Sequence, residues 1–383
     1  PPPPPPFQAE DGIRDEASCL VGSEMCIRDS IHVQDTKEEH YHLTRNLLGL
    51  MAHEKTAVLI NDVANDSRLR GVPLSEGVRN LICVPLMVGP DLIGVLSAYN
   101  KVDEAGFNED DQRLLAIIAA QSAQVIERAR LMEEEKAAAV LKRDVLMAEK
   151  IQIGLLPASA PTIECYDLAG ATAPARQVGG DYYDFIDLGH KNWALALGDV
   201  SGKGLPASLL MANLQATLRG QAFQGMSCDE CVGWCNRLLF RSTPLDKFAT
   251  LFYAQLDTRS HVLTYCNAGH EQPFLFTAGG ELKRLTTGGL AVGILEEFEY
   301  QDDIIHVQPG DILVIFSDGV TDIVNEADEP YGEKRLAEFL DQIKDLKAAD
   351  MIAAVRKDLA DFSGAMPPFD DVTLVVIKRE PLG

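Results

Sequence analysis

Residues 192–204 read NWALALGDVSGKG, and the stretch after Leu197 decides how the chain is to be understood. An apolar run of strand character ends on Gly198 and Asp199, then breaks into Ser201-Gly202-Lys203-Gly204. A glycine-rich turn after a strand suggests a phosphate cradle, but the nucleotide-binding loop requires G-x-x-x-x-G-K-[ST]. Here only Asp199, Val200 and Ser201 separate the first two glycines, and Gly204 follows the lysine. The turn therefore has to be read together with other aspartates. QVGGDYYDFIDL (177–188) sets Asp181 behind two glycines. DILVIFSDGVTD (311–322) sets Asp318 between Ser317 and Gly319, and FDDVTLVVI (369–377) opens a strand-like run with Asp370 and Asp371. One aspartate beside one glycine is usually a plain turn. Four such corners, each against an apolar run, point to strand ends converging on one site.

Four aspartates brought together repel one another, and some of their pKa values rise, unless a cation neutralises them. Oxygen-only ligation selects hard ions such as Mg²⁺ or Mn²⁺, and two divalent ions balance four carboxylates. Such a pair lowers the pKa of a shared water toward neutrality and clamps phosphoryl oxygens during in-line attack. Gly180, Gly198 and Gly319, directly beside the aspartates, permit tight turns and close backbone approach.

The 383 residues suffice for two domains, and 46% hydrophobic with 24% charged residues is the make-up of a soluble globular protein. A net charge of −24 argues against nucleic acid or an anionic membrane as partner. No apolar run of about 18 residues is present to span a bilayer. Sparse cysteines and no secretory signal at the start lead us to expect a reducing cytoplasm. Cys228, Cys231 and Cys235 lack a fourth zinc ligand at matching spacing and read as the core-facing side of a helix. Residues 1–30 join a PPPPPP run to AEDGIRDEASCLVGSEMCIRDS, which has no strand or helix period. That stretch resembles a translated sequencing adapter, and the expectation is a non-native or disordered segment.

From 31 to 125 the pattern is strands, a hairpin turning at Gly89-Pro90-Asp91, and a helix capped by Asn108. With VANDSRLRG, RNLICVPLMVGPDLIGVLSAYNK and FNEDDQRLLAIIAAQSA, this segment resembles the later two-thirds of a GAF sensor domain. The likeness implies a partial GAF domain that answers to an unknown small molecule or protein. Asn100, Lys101, Phe107 and Asp111 fall at the spacing of a motif from cyclic-nucleotide-binding GAF domains, with Gln112 in place of its final glutamate. Between Gly106 and Gly154 there is neither glycine nor proline. Fully helical, that span makes a rod of roughly 70 Å. Leu131, Ala138 and Val145 suit heptad a positions and Leu141, Ala148 and Leu155 suit d, while Glu134 and Gln152 spoil the seam. We expect a coiled-coil linker over 126–156, a homodimer through it, and a helix end at Gly154 and Pro157.

EKIQIGLLP, VGGDYYDF, GDVSGKGLPASLLMA, FATLFYAQLD, CNAGHEQPFLF, FSDGVTD and FDDVTLVVI follow one another between residues 149 and 379. In that order they resemble the PPM-type metal-dependent serine/threonine phosphatases, in particular the bacterial SpoIIE/RsbU-type branch. The resemblance implies an α+β protein whose segment 157–383 is an α/β/β/α sandwich of two antiparallel sheets flanked by helices. It implies that Asp181, Asp199, Asp318 and Asp370, with the carbonyl of Val200, hold two divalent cations, Mn²⁺ or Mg²⁺. Asp184 and Asp371 match family positions, and Arg176 stands where relatives hold the phosphate. By the same analogy the substrate is phosphoserine or phosphothreonine on a STAS-fold anti-sigma-factor antagonist. His270 is weighed as a general acid against a turn-shaping residue, and Lys203 as a phosphate contact against an ordinary loop lysine. A catalytically silent GAF-containing adaptor has no need of the metal aspartates, and a nuclease would want a basic groove that this chain lacks.

Overall fold

The computed structural model describes residues 51–69, 77–103, 105–244, 246–366 and 368–381. Contacts divide the chain into two units, 1–138 and 139–383. The segment 1–30 lies outside the described residues.

In the first unit the strands Val58–Ile60, Leu81–Val88 and Asp91–Tyr99 form an antiparallel sheet, the latter two as the hairpin expected from the Gly-Pro-Asp turn. Successive strand side chains point to opposite faces. Leu81 and Cys83 therefore pack with Met51, Val58 and Ile60, whereas Ile82, Val84 and Leu86 pack with Ala119 and Ala123. A strand buried on both faces reads as an unbroken apolar run. Ala119 and Ala123 belong to one helix, Glu109–Leu155, of 47 residues. Its start is capped reciprocally: the Asp111 N–H donates to Asn108 Oδ1 (2.9 Å), and the Asn108 N–H donates to Asp111 Oδ2 (2.8 Å). The helix runs through Gly154 to Leu155, one residue beyond the glycine expected to stop it. Asp111 also takes the Lys101 ammonium at 2.5 Å, and Asn100 ties Gly77 to Arg79. These residues of the GAF motif brace their own domain.

The second unit holds two sheets, antiparallel throughout except where the two-residue strand Gly288–Gly289 runs parallel to Val262–Ala268. The strands Leu282–Arg284, Phe274–Phe276, Ile312–Phe316, Val372–Arg379 and Tyr166–Ala173 lie in that order in the first. The second is built on Val262–Ala268, Ala249–Asp257, Asn192–Val200 and Tyr182–Gly189, with Gly288–Gly289 and Asp303–His306 paired to the outer edge of Val262–Ala268. Period-two alternation sorts their side chains into three cores. Leu195, Leu197, Tyr183 and Phe185 meet Leu313, Ile315, Val375 and Ile377 between the sheets. Ala194, Ala196 and Tyr182 face the helices Leu205–Ala222 and Cys228–Ser242. Val314, Phe316, Leu374 and Val376 face Gly332–Gln342 and Ala348–Ser363. Helix, sheet, sheet and helix follow as layers, the α/β/β/α sandwich the resemblance implied. Cys228, Cys231 and Cys235 are fully buried on the inner side of their helix, as read.

Candidate metal centre

The alternation that makes the central core also aims the acids. Asp199 continues the face of Leu195 and Leu197, and Asp181 that of Tyr183 and Phe185, so both turn toward the gap between the sheets. Tyr182 pairs with Gly198 across the antiparallel strands, which brings Asp181 and Asp199 to the same sheet end. In the other sheet Phe316 pairs with Leu374, so Asp318, opening the short helix Asp318–Thr321, and Asp370, just before Val372–Arg379, meet at the matching end. Each sheet contributes two of the four.

Their electrostatics show the crowding. Burial, then the charges of Asp318, Asp370 and Asp371, push the Asp199 carboxyl up to about 7. Burial and the Asp199 charge raise Asp181 well above the usual carboxylate range, although the Thr373 hydroxyl donates to its Oδ2 at 2.5 Å. Burial and Asp370 raise Asp318, with Lys203 acting the other way. Among the described residues no three carboxylate, thiol or imidazole groups close on one point tightly enough to hold an ion as they stand. The donors are nonetheless all hard oxygens that share an excess of negative charge, which is the chemistry Mg²⁺ or Mn²⁺ requires. The Val200 carbonyl oxygen also faces this corner: a Cβ built on Gly180 would lie 2.8 Å from it and 3.4 Å from Asp199 Oδ1.

Asp371 plays a different part from Asp370. Its carboxylate accepts the backbone N–H groups of Ala175 (2.8 Å), Gly180 (2.7 Å) and Asp181 (3.3 Å), and so positions the turn that carries Asp181. Asp184 is fully buried on the opposite face of its strand, paired with Arg219 (2.6 Å) and taking the Tyr182 hydroxyl (2.7 Å). It braces the helix layer and does not reach the aspartate corner. Arg176 is exposed and forms no hydrogen bond or ion pair among the described residues, and its Nη1 lies 3.7 Å from where a Gly204 Cβ would stand.

Sequence reasoning missed Gln152. Its side chain is buried and makes two bonds to one residue, donating to the Gly179 carbonyl (2.7 Å) and accepting the Gly179 N–H (3.1 Å). The polar residue that spoils the heptad thus grips the chain two residues before Asp181. The signal available was a lone glutamine at a seam position.

His270 belongs to the scaffold. Its backbone N–H donates to Asn267 Oδ1 (2.8 Å), and its Nδ1 pairs with the Thr250 hydroxyl (2.8 Å). Nε2 has no well-formed partner, and burial holds the ring down to about 3, the Phe316 backbone offsetting this only in part. An imidazole that stays neutral is no proton donor at working pH. The unfolded chain takes up a proton below about 6.5 while the folded chain does not, so stability falls as pH falls through the 6.5-to-3 window. Between pH 6.5 and 5 the wild type should lose about 1.6 kcal/mol more than His270→Gln, the slope rising from half to nearly the full ~1.4 kcal/mol per unit across that window. Urea midpoints at the two pH values check this, and parallel losses would contradict it.

The profile of the family Stage II sporulation protein E (SpoIIE) matches residues 189–380, half of the chain. The chain belongs to the SpoIIE family of metal-dependent serine/threonine phosphatases. A GAF-domain profile matches residues 14–127, starting ahead of the boundary expected at 31. Phosphoserine phosphatase RsbU of Bacillus subtilis is 30% identical over 244 residues, 63% of this chain and 71% of RsbU. Protein IcfG of Synechocystis is 28% identical over 276 residues, 65% of this chain and 43% of IcfG. The chain therefore spans less than half the length of that second relative. The SiaA-PP2C domain of Pseudomonas aeruginosa shares the fold, with a TM-score of 0.56 at 22% identity over 63% of this chain and 98% of that domain. Among the described residues of this SpoIIE-family chain no helix is long and apolar enough to cross a membrane.

Proposed function

We propose that residues 157–383 hydrolyse phosphoserine or phosphothreonine on a signalling protein, controlled by a GAF domain at 31–125 through a helical linker at 126–156. The observation that carries this reading is the convergence of Asp181, Asp199, Asp318 and Asp370 from four strand ends into one mutually repelling group. With the Val200 carbonyl they would hold two divalent cations, Mn²⁺ or Mg²⁺. Bound there, the cations would supply charge neutralisation and a water acidic enough to attack phosphorus at neutral pH. The protein's own groups do the rest. Asp371 and Thr373 hold Asp181 in place. The unpaired guanidinium of Arg176 beside the glycine turn suits the two-oxygen grip on a phosphate. The 30% identity with a phosphoserine phosphatase supports a phosphoprotein substrate, and by analogy we infer a STAS-fold anti-sigma-factor antagonist.

The purified chain should release phosphate from a phosphoserine protein with Mn²⁺ and stop when the metal is chelated. An absence of Mn²⁺-dependent release would favour the silent adaptor. Leu114, Ile118, Leu131, Leu141, Leu146 and Ile153 stand exposed on the long helix, which supports its use in a homodimer. Gln152 offers the linker a direct hold on the Asp181 turn. Gln152→Ala frees both Gly179 groups, and turnover should fall by about 10–100-fold, the usual cost of losing an outer-shell partner. Steady-state kinetics on the full chain reads this effect, and unchanged kcat and metal dependence would remove Gln152 from the control path.

A further inference from the structure

Lys203 has no role in the reading above, yet its contacts are specific. It sits between Gly202 and Gly204, whose φ values of 103° and 72° place the turn in the left-handed region that favours glycine. From there its ammonium reaches a segment far along the chain. It lies 2.8 Å from Asp370 Oδ2, donates to the Phe369 carbonyl at 2.5 Å, and stands 3.5 Å over the Phe369 ring. Among the described residues no other side-chain cation forms an ion pair with Asp181, Asp199, Asp318 or Asp370. The structure thus provides the crowded carboxylates with one positive charge of their own.

A carboxylate oxygen turned to an ammonium is not free for a second cation, and two cations a few ångströms apart repel. We propose that Lys203 is a tethered counter-cation that competes with the divalent metal for Asp370 and so sets the metal concentration at which the centre fills. This inference rests on the metal-centre reading above and extends it to a regulating residue. The chemistry suits displacement. The pair is partly exposed, with 29% of each side chain accessible, and the flexible lysine stem allows the ammonium to leave without moving the backbone. The carbonyl and ring of Phe369 hold the ammonium near the site meanwhile.

The test is Mn²⁺ binding by titration calorimetry, with the metal-induced rise in Tm, on the full chain as wild type, Lys203→Met, Lys203→Gln and Lys203→Arg. Removing a partly exposed competing pair should tighten Mn²⁺ binding about fivefold in the Met and Gln variants. The metal-induced rise in Tm should grow in both. Lys203→Arg keeps the charge and should stay within about twofold of wild type. Two neutral replacements guard against a folding defect in either one. If wild type binds Mn²⁺ and both neutral variants bind it equally or more weakly, the competition is refuted while the metal centre stands. If wild type binds no Mn²⁺, the metal centre itself is refuted and the competition with it.

Discussion

Asp199→Ala should lower Mn²⁺-dependent phosphate release by about 10³-fold or more, beyond the roughly 10–100-fold typical of an outer-shell partner. The Asp199 carboxyl is raised to about 7 by burial and by the charges of Asp318, Asp370 and Asp371. A group held in such surroundings favours its charged form only with a cation beside it. The same fact predicts the opposite sign for stability. Without metal, Asp199→Ala relieves repulsion, so its Tm should equal or exceed that of wild type. Asp318→Ala should behave alike, since Asp318 is raised by burial and Asp370. Loss of turnover with Tm retained separates a missing ligand from a misfolded domain. An Asp199→Ala protein with wild-type turnover would end the hydrolytic reading.

Gly319→Ala should cost about 3 kcal/mol, at the upper end of what overpacking causes, and at least about a hundredfold in kcat. A Cβ on Gly319 would lie 2.1 Å from the Asp371 carbonyl oxygen, 2.9 Å from its carbon and 3.2 Å from the Asp370 carbon. All three are backbone atoms, so no side chain can swing aside. Either the turn carrying Asp318 or the strand entry carrying Asp370 has to move, and each movement separates two of the proposed ligands. Gly220→Ala is the control. Nothing lies within 4 Å of its added Cβ, in the helix Leu205–Ala222, and the change should stabilise by about 0.5 kcal/mol. Urea midpoints and kcat for the two variants check the contrast, and a neutral Gly319→Ala would mean that the close approach does not matter.

The site was legible in the sequence to the extent that its marks are local. Asp181, Asp199 and Asp318 each sit beside a glycine or serine at the end of an apolar run, and such a run is a short-range signal. Asp184 was carried only as a family position, and the structure sets it apart: it shares the face of Tyr182 and Ile186, which pack against helices, and not that of Tyr183 and Phe185. Gln152 was seen only as a flaw in a heptad. Its partner is Gly179, 27 residues on, and no pattern in either segment announces the pairing.

By itself, then, the sequence offered the strand-like runs, the long helix and the four acid-bearing turns, because periodicity and turn chemistry act over a few residues, while the order of its motifs implied the family and, through it, the two-sheet sandwich. Only the tertiary structure decided how neighbouring acids divide the work. Asp370 faces Lys203 while Asp371 binds the backbone of Ala175, Gly180 and Asp181, residues roughly two hundred positions earlier. That division comes from strand register and sheet stacking, which join chain segments whose separation in sequence carries no trace of their contact.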